Sequence, residues 1–256
     1  RQRGDGFMRR KSRRQNRIVG VAAILLGLLL FFFAAGRLRG TKEEGGLFRR
    51  TDAAEFSQTQ TVILDPGHGG ADGGAVGAND VAEKELNLAI SLKLRDMLEL
   101  QGFTVYMTRE TDEMTCAPGL SSLTAQKKSD MHNRLALMDA HPEAIVLSIH
   151  QNKFEQQKYH GAQMFYGKNH EMSAALAQAI QDSFVSRLQP ENERQIKQGE
   201  QNLYLLWEAE NPIVLVECGF LSNPEECEKL CSDEYQSQVA FTILAGLMEA
   251  LAAGGV

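Results

Sequence analysis

Two histidines and two glutamates stand where they could jointly do hydrolytic chemistry. Short apolar runs break into polar residues at Asp65-Pro66-Gly67-His68-Gly69-Gly70, at Ser148-Ile149-His150-Gln151-Asn152 and at Val216-Glu217-Cys218-Gly219-Phe220. In open α/β sheets, working residues gather where strands end and loops begin. Two imidazoles and one carboxylate, with a coordination position left open, are what a catalytic zinc needs, because water can then reach the metal and ionise near neutral pH. His68 and His150 could supply the imidazoles. Glu83, at the opening turn of a helix just after the glycine-rich loop, could supply the carboxylate. No H-E-x-x-H helix is present, so such ligands would have to converge through a sheet, and spacing alone leaves the site open.

Each piece also has an ordinary reading. A glycine-rich loop with one histidine is commonly only a tight turn. A histidine ending an apolar strand, as His150 does, can be a buried and hydrogen-bonded core residue. Glu83 at a helix start can be a surface acid favoured by the helix dipole. Glu217 interrupts an apolar strand end, which is costly unless the carboxylate is paired or functional. His132, His141, His160 and His170 lie in polar stretches and read as solvated. Cys218 beside Glu217 raises a rival, a thiol hydrolase, although a cysteine inside an apolar run tends to be buried and inert.

Positioning these residues requires strands and helices in alternation. Thr61–Asp65, Phe103–Arg109, Ala144–His150, Ala162–Tyr166 and Ile213–Gly219 are short, rich in Val, Ile and aromatics, and mostly non-alternating, as strands covered on both faces should be. Ala82–Gln101 places Leu86, Ile90, Leu94, Met97 and Leu98 on one helical face and ends at Gly102. Further helices fit Ser129–Ala140, His170–Leu188 and Tyr235–Ala253. The pattern predicts one α/β domain over residues 58–253, with a largely parallel twisted sheet flanked by helices.

The segment before that domain reads as an export signal. Eight basic residues against one acid, Asp5, fill residues 1–17, and Ile18 to Ala35 carries no charge. Met8 opens a run resembling the start of such a segment, so residues 1–7 are set aside. The apolar run, residues 18–36 with its small-residue end, is long enough to cross a bilayer, and the charge bias predicts that the chain beyond residue 36 lies outside the cytoplasm. A retained anchor and a cleaved signal remain equally open. Residues 37–57 read as a linker. Without the first 17 residues the chain has 19 basic and 32 acidic residues, a net charge of −13, which argues against nucleic acid as a partner. Four cysteines are an even number outside the membrane, but a body this long buries a core without staples, and Cys227 and Cys231 read as ordinary helix residues.

Five strings carry a resemblance. T-V-I-L-D-P-G-H-G-G-A-D-G-G-A-V-G from Thr61, A-E-K-E-L-N-L at 82–88, T-R-E-T-D at 108–112, L-S-I-H-Q-N at 147–152 and P-I-V-L-V-E-C-G-F-L-S-N-P at 212–224 stand in order over nearly the whole body. Together they resemble the zinc N-acetylmuramoyl-L-alanine amidases of the amidase-3 type, which cut the amide between N-acetylmuramic acid and L-alanine in peptidoglycan. The resemblance implies that His68, Glu83 and His150 hold Zn²⁺ and that Glu217 is the catalytic acid/base. It therefore decides Glu83, which pattern alone could not. The stretch from Gly119-Leu120-Ser121 through Asn133-Arg134, with Gly161–Tyr166, is similar to the sporulation amidases of Firmicutes, which act on spore cortex in muramic δ-lactam formation. Cys218 departs from the aliphatic residue common there.

Asn152 and Arg134 are candidates for orienting the site, Arg134 being equally an ion-pair partner. The implied partners are the stem peptide and glycan of peptidoglycan, the membrane through residues 18–36, and an activating protein. The contrasting expectation is a wall-binding module with a degenerate site.

Overall fold

The computed structural model describes residues 60–254, so the leader, apolar run and linker expected over 1–57 lie outside the described residues. Its elements are β1 Thr61–Pro66, α1 Glu83–Leu100, β2 Thr104–Met107, α2 Leu123–Ala140, β3 Ile145–Asn152 and β4 Gln163–Tyr166. They continue with α3 Met172–Arg187, β5 Lys197–Gln198, α4 Tyr204–Glu208, β6 Ile213–Phe220, α5 Pro224–Leu230 and α6 Asp233–Ala252. Among the described residues no helix is long and apolar enough to cross a membrane.

The six strands form one sheet in the order β2-β1-β3-β6-β4-β5. All neighbours pair parallel except β4 against β6, which is antiparallel. The largely parallel sheet is therefore as expected, with one reversed strand. β1, β3 and β6 are central, and their alternating side chains are buried on both faces. Val62, Leu64, Ile145, Leu147, Ile149, Val214, Val216 and Cys218 enter the larger core, where Leu86, Ile90, Leu94 and Leu98 of α1 meet residues of α3 and α6. Ile63, Val146, Ile213 and Leu215 face the smaller core with Met138 of α2 and Leu205 and Leu206 of α4. On that second face, continuing toward the strand ends, stand Asp65, Ser148, His150 and Glu217.

The helices start and stop for local reasons. Glu83 and Glu85 place negative charge in the first turn of α1, and Gly102, at φ +91°, ends it with its N–H on the Glu99 carbonyl. Ser122 caps α2 by accepting from the Ala125 N–H, and Ser232 caps α6 from the Tyr235 N–H.

Helix α2 begins at Leu123, six residues before the start expected at Ser129. Its end at Ala140 is as expected; its buried residues are Asp130, Arg134 and Met138, so charged groups occupy its inner face and hydrophobic periodicity could not locate its start. β2 is shorter than Phe103–Arg109. β5 and α4, of two and five residues, were not anticipated, being too short to show a period, whereas α5 holds Cys227 and has Cys231 as its C-cap, as the helical reading of those residues expected.

Candidate active site

At the end of β1 the chain turns so that His68 takes a left-handed backbone, φ +63°. A residue with a Cβ rarely sits there unless its surroundings fix it. They do: Arg134 donates to the His68 carbonyl at 2.7 Å, and Asp72 Oδ2 lies 2.9 Å from His68 Nδ1. Two glycines make room for the rings. A Cβ on Gly67 would lie 2.2 Å from the His150 ring, and one on Gly74 would lie 2.6 Å from both Glu83 Oε2 and the His68 ring.

Glu83 begins α1 and is buried. Its carboxylate accepts from the N–H of Ala75 at 2.8 Å, the N–H of Gln151 at 3.1 Å and the amide of Asn87 at 3.2 Å. Oε2 faces His68 Nε2 at 3.2 Å and Oε1 faces His150 Nδ1 at 2.9 Å. One ligand atom from each of His68, Glu83 and His150 falls within 4.8 Å of the others. Tetrahedral zinc with bonds of about 2.1 Å separates its ligand atoms by roughly 3.4 Å, so these residues suit that ion. Asp72, itself held by Lys127 Nζ at 2.7 Å, occupies the far nitrogen of His68 and so fixes which nitrogen faces inward.

The electrostatics point the same way. Burial pushes the Glu83 carboxyl up, but His150 and His68 outweigh it and hold the group far below the usual carboxylate range. Burial likewise disfavours charge on His68, yet Asp72 and Glu83 raise it to about 9. The cluster is thus built to hold positive charge.

Glu217 behaves differently. It pairs in register with His150 across β3 and β6, and parallel neighbours share a sheet face. Burial, with the Glu83 charge adding to it against His150 and His68, pushes its carboxyl up to about 7. Its Oε2 is sealed from solvent and has no hydrogen-bond partner among the described residues. A buried carboxylate oxygen left unpaired beside a cluster of possible ligands makes Glu217 a candidate for chemistry at that cluster. A cavity of about 270 Å³ between the sheet and helices α2 and α4 opens onto His68 and His150 and is walled by Met131, Leu203 and Leu206. A larger one, about 520 Å³, lies by Gln189, Glu226 and Tyr235 and touches none of these groups.

Residues 62–249 match the family described as N-acetylmuramoyl-L-alanine amidase. The chain belongs to that family. The amidase is 37% identical over 187 residues to the germination-specific N-acetylmuramoyl-L-alanine amidase of Bacillus subtilis (strain 168), covering 73% of this chain and 78% of that protein. Among solved structures it resembles the CwlD amidase from Clostridioides difficile in complex with the GerS lipoprotein. That match has 38% identity and a TM-score of 0.73, and covers 76% of this chain and 99% of that one. A second is the N-acetylmuramoyl-L-alanine amidase from Clostridium difficile 630, at 30% identity and a TM-score of 0.65, covering 76% and 98%.

The remaining candidates of the amidase fall out unequally. Arg134 is buried and holds Asp65 Oδ1 at 2.5 Å, Asp130 Oδ2 at 2.8 Å and the Pro66 carbonyl at 2.9 Å in addition to the His68 carbonyl. It is an ion-pair partner that also fixes the loop bearing His68. Asn152 sits at a bulge where the β3 and β6 register shifts, its side chain makes no hydrogen bond among the described residues, and its carbonyl accepts from the Leu221 N–H. Asn87 and Gln151 take the supporting place instead: Asn87 bonds Glu83 and the Gly67 carbonyl, and the Gln151 amide reaches Asn87 at 3.2 Å. The signals for them were slight, Asn87 lying one helical turn after Glu83 and Gln151 adjoining His150. Cys218 points into the larger core, opposite Glu217, and burial pushes its thiol far up, which removes the thiol-hydrolase rival.

Proposed function

We propose that this amidase is zinc-dependent, that it cuts the bond between N-acetylmuramic acid and L-alanine, and that it works on spore cortex peptidoglycan in forming muramic δ-lactam. The observation that carries the zinc reading is the convergence of His68, Glu83 and His150 beside the unpartnered Glu217 Oε2. His68, Glu83 and His150 would hold the zinc, which would supply Lewis acidity for the scissile carbonyl and lower the pKa of a water toward neutral.

The chain's own groups do the rest. Glu217 takes the proton of the attacking water and then delivers it to the departing alanine nitrogen, which is a poor leaving group without it. Asp72 orients His68, Arg134 fixes the backbone that carries it, and Gln151 and Asn87 hold Glu83 in place. The apolar wall of the neighbouring cavity excludes water from one side of the reacting carbonyl. The cortex assignment leans on the germination-specific relative.

On the same reading the catalytic domain spans 58–253, joined by a linker at 37–57 to a membrane segment at 18–36 that keeps it outside the cytoplasm. The CwlD relative was solved with a lipoprotein bound, which favours an activating protein partner here too.

Two measurements test the proposal. Digestion of purified cortex and of vegetative peptidoglycan, with zinc supplied or chelated, should release peptides beginning with L-alanine and leave free muramic acid carboxyls or the lactam precursor, seen by mass. Unchanged turnover under chelation would overturn zinc dependence. His68→Ala, Glu83→Ala and His150→Ala should each lower bound zinc, since two protein ligands remain where three stood. Stoichiometric zinc in any one variant would remove that residue from the ligand set.

A further inference from the structure

In the loop between α3 and β5, beside Gln163 of β4, lies an arginine that makes no ion pair among the described residues. Arg194 has no carboxylate oxygen within 4.0 Å among the described residues. Its Nε donates to the His160 carbonyl at 2.8 Å and its Nη1 to Gln163 Oε1 at 3.2 Å, while Nη2 makes no hydrogen bond among the described residues. The guanidinium carbon sits 4.3 Å from the centre of the Phe220 ring and 6.0 Å from that of Tyr159. The fork is therefore held in one orientation with donors to spare, which a surface arginine on a flexible stem is not.

Its anchors tie it to the reacting centre. Gln163 of β4 pairs directly with Glu217 of β6, and Phe220 follows Glu217 by three residues on the same strand. Arg109, the other described arginine without a carboxylate partner, differs: carbonyls of Pro66, Gly67, Lys84 and Thr111 occupy it. Glu226, the carboxylate whose charge Arg194 feels, is turned to the N–H groups of Gly161 and Phe220.

We propose that Arg194 binds a carboxylate of the substrate's peptide and so determines which peptides the amidase accepts. The proposal rests on the peptidoglycan reading above. The sugars of such a substrate are uncharged once the lactyl carboxyl is tied up in the scissile amide, so a carboxylate ligand comes from the peptide. Planar guanidinium forks match carboxylates through paired hydrogen bonds. Phe154, half exposed and packed edge-on against Tyr159 at 5.0 Å, extends an aromatic floor beside the fork over which a peptide can lie. Lys158, whose ammonium lies 5.3 Å from the centre of the Tyr159 ring, and the acids Glu191 and Glu193 line the same shallow cavity, so two acids offset its two cations and a carboxylate gains most by reaching the planar fork itself.

The test is equilibrium binding of synthetic peptides, by calorimetry, to the zinc-loaded full chain. The peptides begin with L-alanine and carry free carboxylates on the second and third residues, or an amide in place of one or the other, which separates the two sources. Amidating the carboxylate that Arg194 holds should weaken binding about 10- to 100-fold, the worth of a charge-assisted hydrogen bond. Arg194→Gln should bind acid and amide within about twofold of each other, and Arg194→Lys should restore part of the preference. The comparison on the unmutated protein needs no variant to fold. Equal binding of acid and amide by that protein, or full discrimination by Arg194→Gln, would overturn the proposal. Because binding is read apart from turnover, loss of the hydrolysis reading would show separately, as intact peptidoglycan.

Discussion

On the proposed zinc reading, Glu217→Gln should keep the fold and the bound metal while turnover falls by roughly 10²–10⁴-fold, the range expected for loss of a general acid/base. The amide copies the shape of the carboxylate and its hydrogen-bonding reach but cannot take a proton from the attacking water. The pH dependence should separate this from a structural role. Burial pushes the Glu217 carboxyl up to about 7, so in the metal-free protein the proton is held more tightly folded than unfolded. Its contribution to stability is then present below the ordinary carboxylate range and lost as pH rises toward 7. Removing that ionisation should leave the melting temperature of the metal-free variant at pH 8 equal to or above that of the parent. In the zinc-loaded enzyme the nearby cation favours the ionised carboxylate, so the rising limb of kcat/KM should lie below pH 7. Metal content, a melting curve and a rate on one preparation check all of this. Full zinc with near-native turnover would remove Glu217 from the mechanism.

Arg134→Ala should cost about 3–5 kcal/mol of stability, since it leaves carboxylates in the interior without their cation. Asp65 and Asp130 are both at least 98% buried and both bond Arg134, and Ser148 and Thr108 bond Asp65 behind it. Burial pushes the Asp65 carboxyl up, but the Arg134 charge prevails and holds it below its ordinary value. The pairing thus stabilises the fold above the ordinary range and is lost as pH falls through the lowered value. The deficit of the variant should narrow in acid, where Asp65 without its partner takes up a proton. Arg134→Lys should recover only part, because one ammonium cannot span two carboxylates and two carbonyls. A loss under about 1 kcal/mol in a urea titration would mean that the network is solvated.

These two residues also show what the sequence made legible. The central strands and helix α1 were readable because their side chains do one thing, bury apolar surface, and burial leaves a period. Glu217 was readable for the opposite reason, as a charge in an apolar run. Glu83 was not, since an acid at a helix start has a sufficient ordinary explanation. Only the resemblance singled it out. Arg134 was legible as an orienting residue or an ion-pair partner and is both, but its link to Asp65, 69 residues away, leaves no local pattern. The hold of Asp72 on His68, four residues before it, escaped because an acid in a glycine-rich loop is unremarkable. The end of helix α2 at Ala140 was read correctly, but its start was read six residues late, because its inner face is ionic and an ionic inner face looks like a surface.

The ends of the sheet carry a consequence of another kind. A sheet with open edges invites a second chain to add a strand, the first step toward aggregation. On one side the last strand is β5, only Lys197 and Gln198, both exposed, and too short to template more than a residue or two. On the other, β2 has four residues, and its exposed Tyr106 is stacked on His141 at 4.0 Å. Growth by edge addition is thus discouraged at both ends, by brevity and a lysine at one and by a covering ring at the other. Among the described residues, both ends of the sheet are poor templates for pairing with a second copy of the chain.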